Sequence, residues 1–87
     1  MYIILVYDIE QKRVAKACKF LRKHLNWVQN SVFEGELTAA RLKAVKMGLN
    51  KIIKKDRDSI LIYKMRTVAV VDRESIGLEK NLITNII

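Results

Sequence analysis

No proline interrupts this chain, only three glycines loosen it, and its one cysteine, Cys18, has no second to pair with. With so few breakers and 51% hydrophobic residues, the sequence is neither linker nor disordered tail; it predicts regular elements joined by tight turns. A lone cysteine excludes an intramolecular disulfide and a cysteine-based metal site. Apolar runs fall far short of the roughly 20 residues that span a bilayer. The run after Met1 has neither the basic n-region nor the cleavage site of a secretory signal, so the expected location is the cytoplasm. The 87 residues are read as one domain, 1–87. A chain of this size buries only about 60% of the surface its unfolded form exposes, and a partner chain often supplies what such a core lacks.

Acid is also scarce. Seventeen Lys and Arg face nine Asp and Glu, a net charge of +8, and this balance favours polyanions such as nucleic acid or an acidic membrane surface.

The first run, YIILVYD (Tyr2 to Asp8), reads as a strand. From Lys12 to Leu25 the period turns helical: Val14, Ala17, Cys18, Leu21 and Leu25 share one side, and Lys12, Lys16, Lys19 and Lys23 the other. WVQNSVFEGEL (Trp27 to Leu37) reads as a β-rich strand. Thr38 caps a second helix running to about Lys55. SILIYKM and TVAVVDR then read as a third and a fourth strand around a tight turn at Lys64 to Arg66, and LITNII as a short fifth. Parsed as βαββαβ, with SILIYKM counted as the third strand and TVAVVDR as the fourth, these runs predict an α+β, ferredoxin-like sandwich: a four-stranded antiparallel sheet with two helices on one face. Apolar residues alternate onto both faces of the predicted strands, and two helices cover only one face. A second copy packed sheet to sheet about a two-fold axis is the expected cover, with the tail, residues 76–87, pairing with the partner protomer.

Asp8 is the polar end of the first strand. One reading makes it a turn or capping residue. The other brings it close to its own copy across the two-fold, where two carboxylates need a shared proton or a cation; Mg²⁺ suits them, and polarises water for attack on a phosphodiester. Lys12 and Arg13 open the first helix, where free backbone N–H groups also favour phosphate. Twelve of the seventeen basic residues are placed in the two helices, with no acid between Lys12 and Lys23. Phe33 and Trp27 are read either as base-stacking residues or as packing. Glu34 and Glu36 share a strand face and read either as metal ligands or, in preference, as an exposed acidic edge. His24 lies near a helix end, where a cation complements the dipole.

YDI at Tyr7 to Ile9, the basic helix after it, and VQNSVFEGEL at Val28 to Leu37 together resemble the small universal CRISPR-associated protein of spacer acquisition. That family is the companion of the CRISPR integrase and is often called a CRISPR-associated endoribonuclease. The likeness covers nearly the whole chain, including the ending around IGLEKNLITNII. It implies a ferredoxin-like homodimer with a fifth strand exchanged onto the partner. It implies that Asp8 holds a divalent metal between protomers, with Tyr7 beside it and Phe33 as an aromatic linked to activity. Two activities go with the family: Mg²⁺-dependent cleavage of single-stranded RNA or double-stranded DNA, and bridging of duplex DNA between integrase dimers. The sequence departs from the family in the short loop after Asp8, with only Lys12 and Arg13 as basic residues, and in Trp27, where many relatives carry Arg. Three functions follow: a metal-dependent endonuclease, a DNA-binding scaffold without catalysis, and a toxin-like ribonuclease.

Overall fold

The near-continuous apolar run Tyr2–Asp8, rich in β-branched and aromatic residues, has a direct structural consequence. A computed structural model of the chain, describing residues 1–78 and 80, forms strand β1 there, with Ile3, Leu5 and Tyr7 buried and Tyr2, Ile4 and Val6 half-buried on the opposite face. Helix α1 spans Gln11–Leu21, strands β2 and β3 span Asn26–Gln29 and Val32–Glu36, helix α2 spans Ala39–Ile52 and strand β4 spans Ser59–Met65. The four strands form one antiparallel sheet in the order β2-β3-β1-β4. This is the expected α+β architecture.

Two elements differ from the sequence reading. The run Trp27 to Leu37 is a hairpin, because Asn30 takes a left-handed conformation (φ 45°) and turns the chain through Asn30 and Ser31. Asn tolerates that region as few other residues do, and such a two-residue turn matches the twist of paired strands. SILIYKM is therefore the fourth strand, and the order βαββαβ is completed by this hairpin and not by TVAVVDR. TVAVVDR is no strand: Val68–Val70 form a single 3₁₀ turn, with the Thr67 hydroxyl accepting from the Ala69 N–H at 3.3 Å. An apolar β-branched run becomes a strand only where a sheet edge pairs with it, and Val68 and Val70 remain exposed. The proposed fifth strand, LITNII, lies outside the described residues.

Both helices pack on one face of the sheet. Ala17 and Leu21 of α1 and Leu42, Val45 and Leu49 of α2 close over Ile3, Leu5 and Phe33. Leu25, beyond the end of α1, still reaches this core, since its N–H bonds to the Leu21 carbonyl at 2.8 Å. Thr38 caps α2 as expected, accepting from the Arg41 N–H at 3.1 Å. Gly48 is required by the helix crossing: a β-carbon there would collide with the Phe20 ring.

The other face of the sheet carries Tyr2, Ile4, Val6, Val32, Leu61, Tyr63 and Met65, which the strand register places side by side. Leu61 and Tyr63 are more than half exposed, at 58% and 56%. Glu34 stands in the same face, opposite Ile4, and is 5% exposed. It is ion-paired with Arg73, so the segment after β4 returns over this face. The expected acidic edge is thus half right. Glu36 is exposed beside the terminal amine at 3.7 Å, whereas Glu34 is buried because an arginine distant in sequence neutralises it.

Candidate metal and nucleic-acid site

β1 ends at Asp8, paired across the ladder with Ser59 at the start of β4. Alternation along β1 puts Asp8 on the open face with Val6, and its side chain is exposed. The three acids of the sheet differ sharply. Glu34 is bound to Arg73 and Glu36 lies beside the terminal amine, but the Asp8 carboxylate has no hydrogen-bond or ion-pair partner among the described residues. It is a free hard oxygen ligand at the sheet end. Mg²⁺ takes few protein carboxylates and keeps several waters, so this donor fits it. No cluster of three or more ligating side chains forms among the described residues, and Asp8 is the candidate ligand at this end of the sheet.

Tyr7 points the other way, into the helix-covered core. Its hydroxyl lies 3.0 Å from Cys18 Sγ and donates to the Asn30 carbonyl at 3.4 Å, and its ring is tilted on Phe33 at 6.1 Å. Burial, together with the neighbouring Cys18, pushes the phenol up to about 12, so it stays protonated in the working range. Phe33 is fully buried and offers no face to a base. Its aromatic ring is packing. Trp27, half-buried opposite Phe33, donates its indole N–H to the Asn30 carbonyl at 3.1 Å.

The two residues that open α1 separate. Lys12 is exposed, while Arg13 is turned inward to Asp58. Asp58 escaped the sequence reading altogether. Its side chain is wholly buried and accepts four hydrogen bonds: Arg13 Nε at 2.6 Å and Lys54 N at 2.9 Å on Oδ2, Arg13 Nη2 and Glu10 N at 2.9 Å each on Oδ1. Glu10 then binds Arg13 Nη2 at 2.6 Å and Arg57 Nη2 at 3.1 Å. The Arg13 guanidinium holds the Asp58 carboxyl far below the usual carboxylate range, against the opposing effect of burial. Asp58 in turn keeps Arg13 firmly protonated, raising it above its ordinary value. Forty-five residues separate the pair, so no local spacing could have revealed it.

The helices carry the charge. Within their observed bounds α1 holds Lys12, Arg13, Lys16 and Lys19, α2 holds Arg41, Lys43, Lys46 and Lys51, and neither contains an acid. All of these except Arg13 are exposed, so the expected polar side of α1 is solvated as predicted. His24 lies just past α1, where its Nδ1 accepts from Arg41 Nε at 3.2 Å. Burial first, and then the nearby Arg41 and Lys23, push its pKa down, in the direction opposite to the charged form expected at a helix end.

No helix among the described residues is long and apolar enough to cross a membrane. Residues 1–72 match the family model of CRISPR associated protein Cas2. The chain is 56% identical over 87 residues to the CRISPR-associated endoribonuclease Cas2 of Pyrococcus furiosus and 53% identical to that of Thermococcus kodakarensis, each match covering 100% of both chains. Among solved structures, a crystal structure of cas2 aligns with TM-score 0.84 at 45% identity, over 92% of this chain and 90% of the other. Cas2 of Streptococcus pyogenes at pH 6.5 aligns with TM-score 0.75 at 30% identity, over 88% and 100%. Sheet, helices and the free aspartate at the end of β1 all lie within the matched span, and the chain belongs to the Cas2 family of CRISPR-associated proteins.

Proposed function

We propose that the chain acts as a homodimeric, divalent-cation-dependent endonuclease on RNA or double-stranded DNA, in the adaptation step of CRISPR defence. The observation that carries this is the Asp8 carboxylate: exposed, without a partner among the described residues and set at the end of an apolar sheet face. The relatives named as endoribonucleases support the same reading. A second copy on the open face doubles the single ligand each chain supplies. Mg²⁺, when bound, supplies Lewis acidity for phosphodiester hydrolysis. The chain's own part is to hold the carboxylates at the sheet end and a phosphate beside them. The direct test is Asp8→Asn, which should remove cleavage and leave the fold.

The dimer has its own test. Sedimentation at micromolar concentration should give twice the 10.1 kDa chain mass. A well-folded monomer there would defeat the proposal. Deletion of Leu82 to Ile87 should weaken the dimer if that tail pairs across it.

The acid-free helices favour a second role, as a duplex-DNA scaffold that positions the integrase. On this reading binding is electrostatic and blind to base sequence. Affinity for a random duplex should fall steeply with salt, and Lys12→Ala combined with Lys16→Ala should flatten the log–log slope by about 1 to 2 units. A salt-independent affinity, or strong preference for one base sequence, counts against it.

A further inference from the structure

Asp58 is joined to two residues that flank the Asp8 position, one across the sheet and one along the chain. It precedes Ser59 in the chain, and Ser59 pairs with Asp8 in the sheet. It also accepts the Glu10 N–H, two residues beyond Asp8 on the other side. Between Asp8 and Glu10 only Ile9 intervenes, itself buried in the core. The turn from β1 into α1 contains neither proline nor glycine, and the Asp58 carboxylate holds its Glu10 N–H. The Arg13 fork completes the clamp by holding both Asp58 oxygens and the Glu10 carboxylate.

A buried ion pair contributes little net stability over an apolar pair of similar shape, because desolvation offsets attraction. What four directional hydrogen bonds add is a fixed position. We propose that Asp58 and Arg13 are positioning residues, which set where the Asp8 carboxylate sits at the sheet end, and that Arg13 serves this purpose and not phosphate contact. The inference rests on the reading of Asp8 as the metal-holding residue. Arg13 is poorly placed for phosphate: its side chain is 11% exposed, and its Nε and Nη2 are already engaged. Exposed Lys12 beside it has no such engagement with Asp58. Groups that orient a metal-holding side chain alter metal affinity when they are replaced, even though they never touch the ion.

The test uses the full chain with Mn²⁺ as the probe, followed by paramagnetic broadening of the Asp8, Ile9 and Glu10 amide signals. Asp58→Asn and Arg13→Gln should each raise the Mn²⁺ midpoint about tenfold. The double variant should be no worse than either single one, since one clamp is lost in all three. The salt slope of duplex-DNA affinity should stay at the wild-type value in Arg13→Gln. Should Asp58→Asn not fold, Arg13→Lys keeps the charge, loses the fork and carries the same Mn²⁺ expectation. Folded clamp variants with a wild-type Mn²⁺ midpoint overturn the inference alone, provided Asp8→Asn abolishes the broadening. An Arg13→Gln slope lowered by about one unit also overturns it, and makes Arg13 a phosphate contact. Broadening that survives Asp8→Asn overturns the metal reading and this inference with it.

Discussion

Asp8→Asn is expected to lower Mg²⁺-dependent cleavage of RNA and duplex DNA by at least about 100-fold, a loss of roughly 3 kcal/mol of transition-state stabilisation. The substitution removes a negative charge while nearly preserving shape. It strips the site of the Asp8 carboxylate in each copy, the hard oxygen ligand on which the proposed metal site depends. Little else depends on that carboxylate. The residue is exposed and its side chain has no partner among the described residues, while its place in the sheet comes from backbone pairing with Ser59. Thermal melting of the metal-free protein should therefore be unchanged, or raised if two like charges face each other in the dimer. Duplex affinity and its salt dependence should also persist, because the basic helices are untouched. Cleavage at the wild-type rate would return Asp8 to the role of a turn residue. If the main task is scaffolding, integrase binding and spacer insertion survive the same change whatever becomes of hydrolysis.

Asp58→Ala should act in the opposite way, through the fold. Four hydrogen bonds end on its carboxylate, two of them from backbone N–H groups that have no other acceptor among the described residues. Removing it leaves a largely buried guanidinium without its main counter-charge, which is far more costly than never having formed the pair. The thermal midpoint should fall by at least about 10 °C. Its pH dependence has a definite sign. The folded pKa of Asp58 lies below its unfolded value, so the folded state binds fewer protons at this group. Its contribution is complete above the ordinary carboxylate pKa near ~4 and is lost as pH falls from there toward the folded value. Glu10 is lowered as well, first by Arg13 and then by Arg57, and acts in the same direction. Wild-type melting should therefore fall steeply below about pH 4, and Asp58→Ala should show a shallower decline. Equal midpoints at neutral pH, or parallel acid profiles, would strip Asp58 of this role.

Much of this protein is determined by its sequence alone. The alternation in Tyr2–Asp8, the period of α1 and the Thr38 cap are local patterns, and each specified its element because period and burial face are properties of consecutive residues. The surplus of apolar residues on the second sheet face and the acid-free helices were equally legible. Local pattern failed where pairing decides. Whether Thr67 to Val71 becomes a strand depends on a free edge, and whether Trp27 to Leu37 is one strand or two depends on Asn30 turning back onto β3. Lys12 and Arg13 are adjacent cations of equal standing in the sequence. Only the tertiary structure turned one to solvent and the other to Asp58, by bringing together residues 45 positions apart in a buried setting where an unpaired charge is not tolerated. The same physics buried Glu34 under Arg73, and left Asp8 as the acid of the sheet without a partner among the described residues.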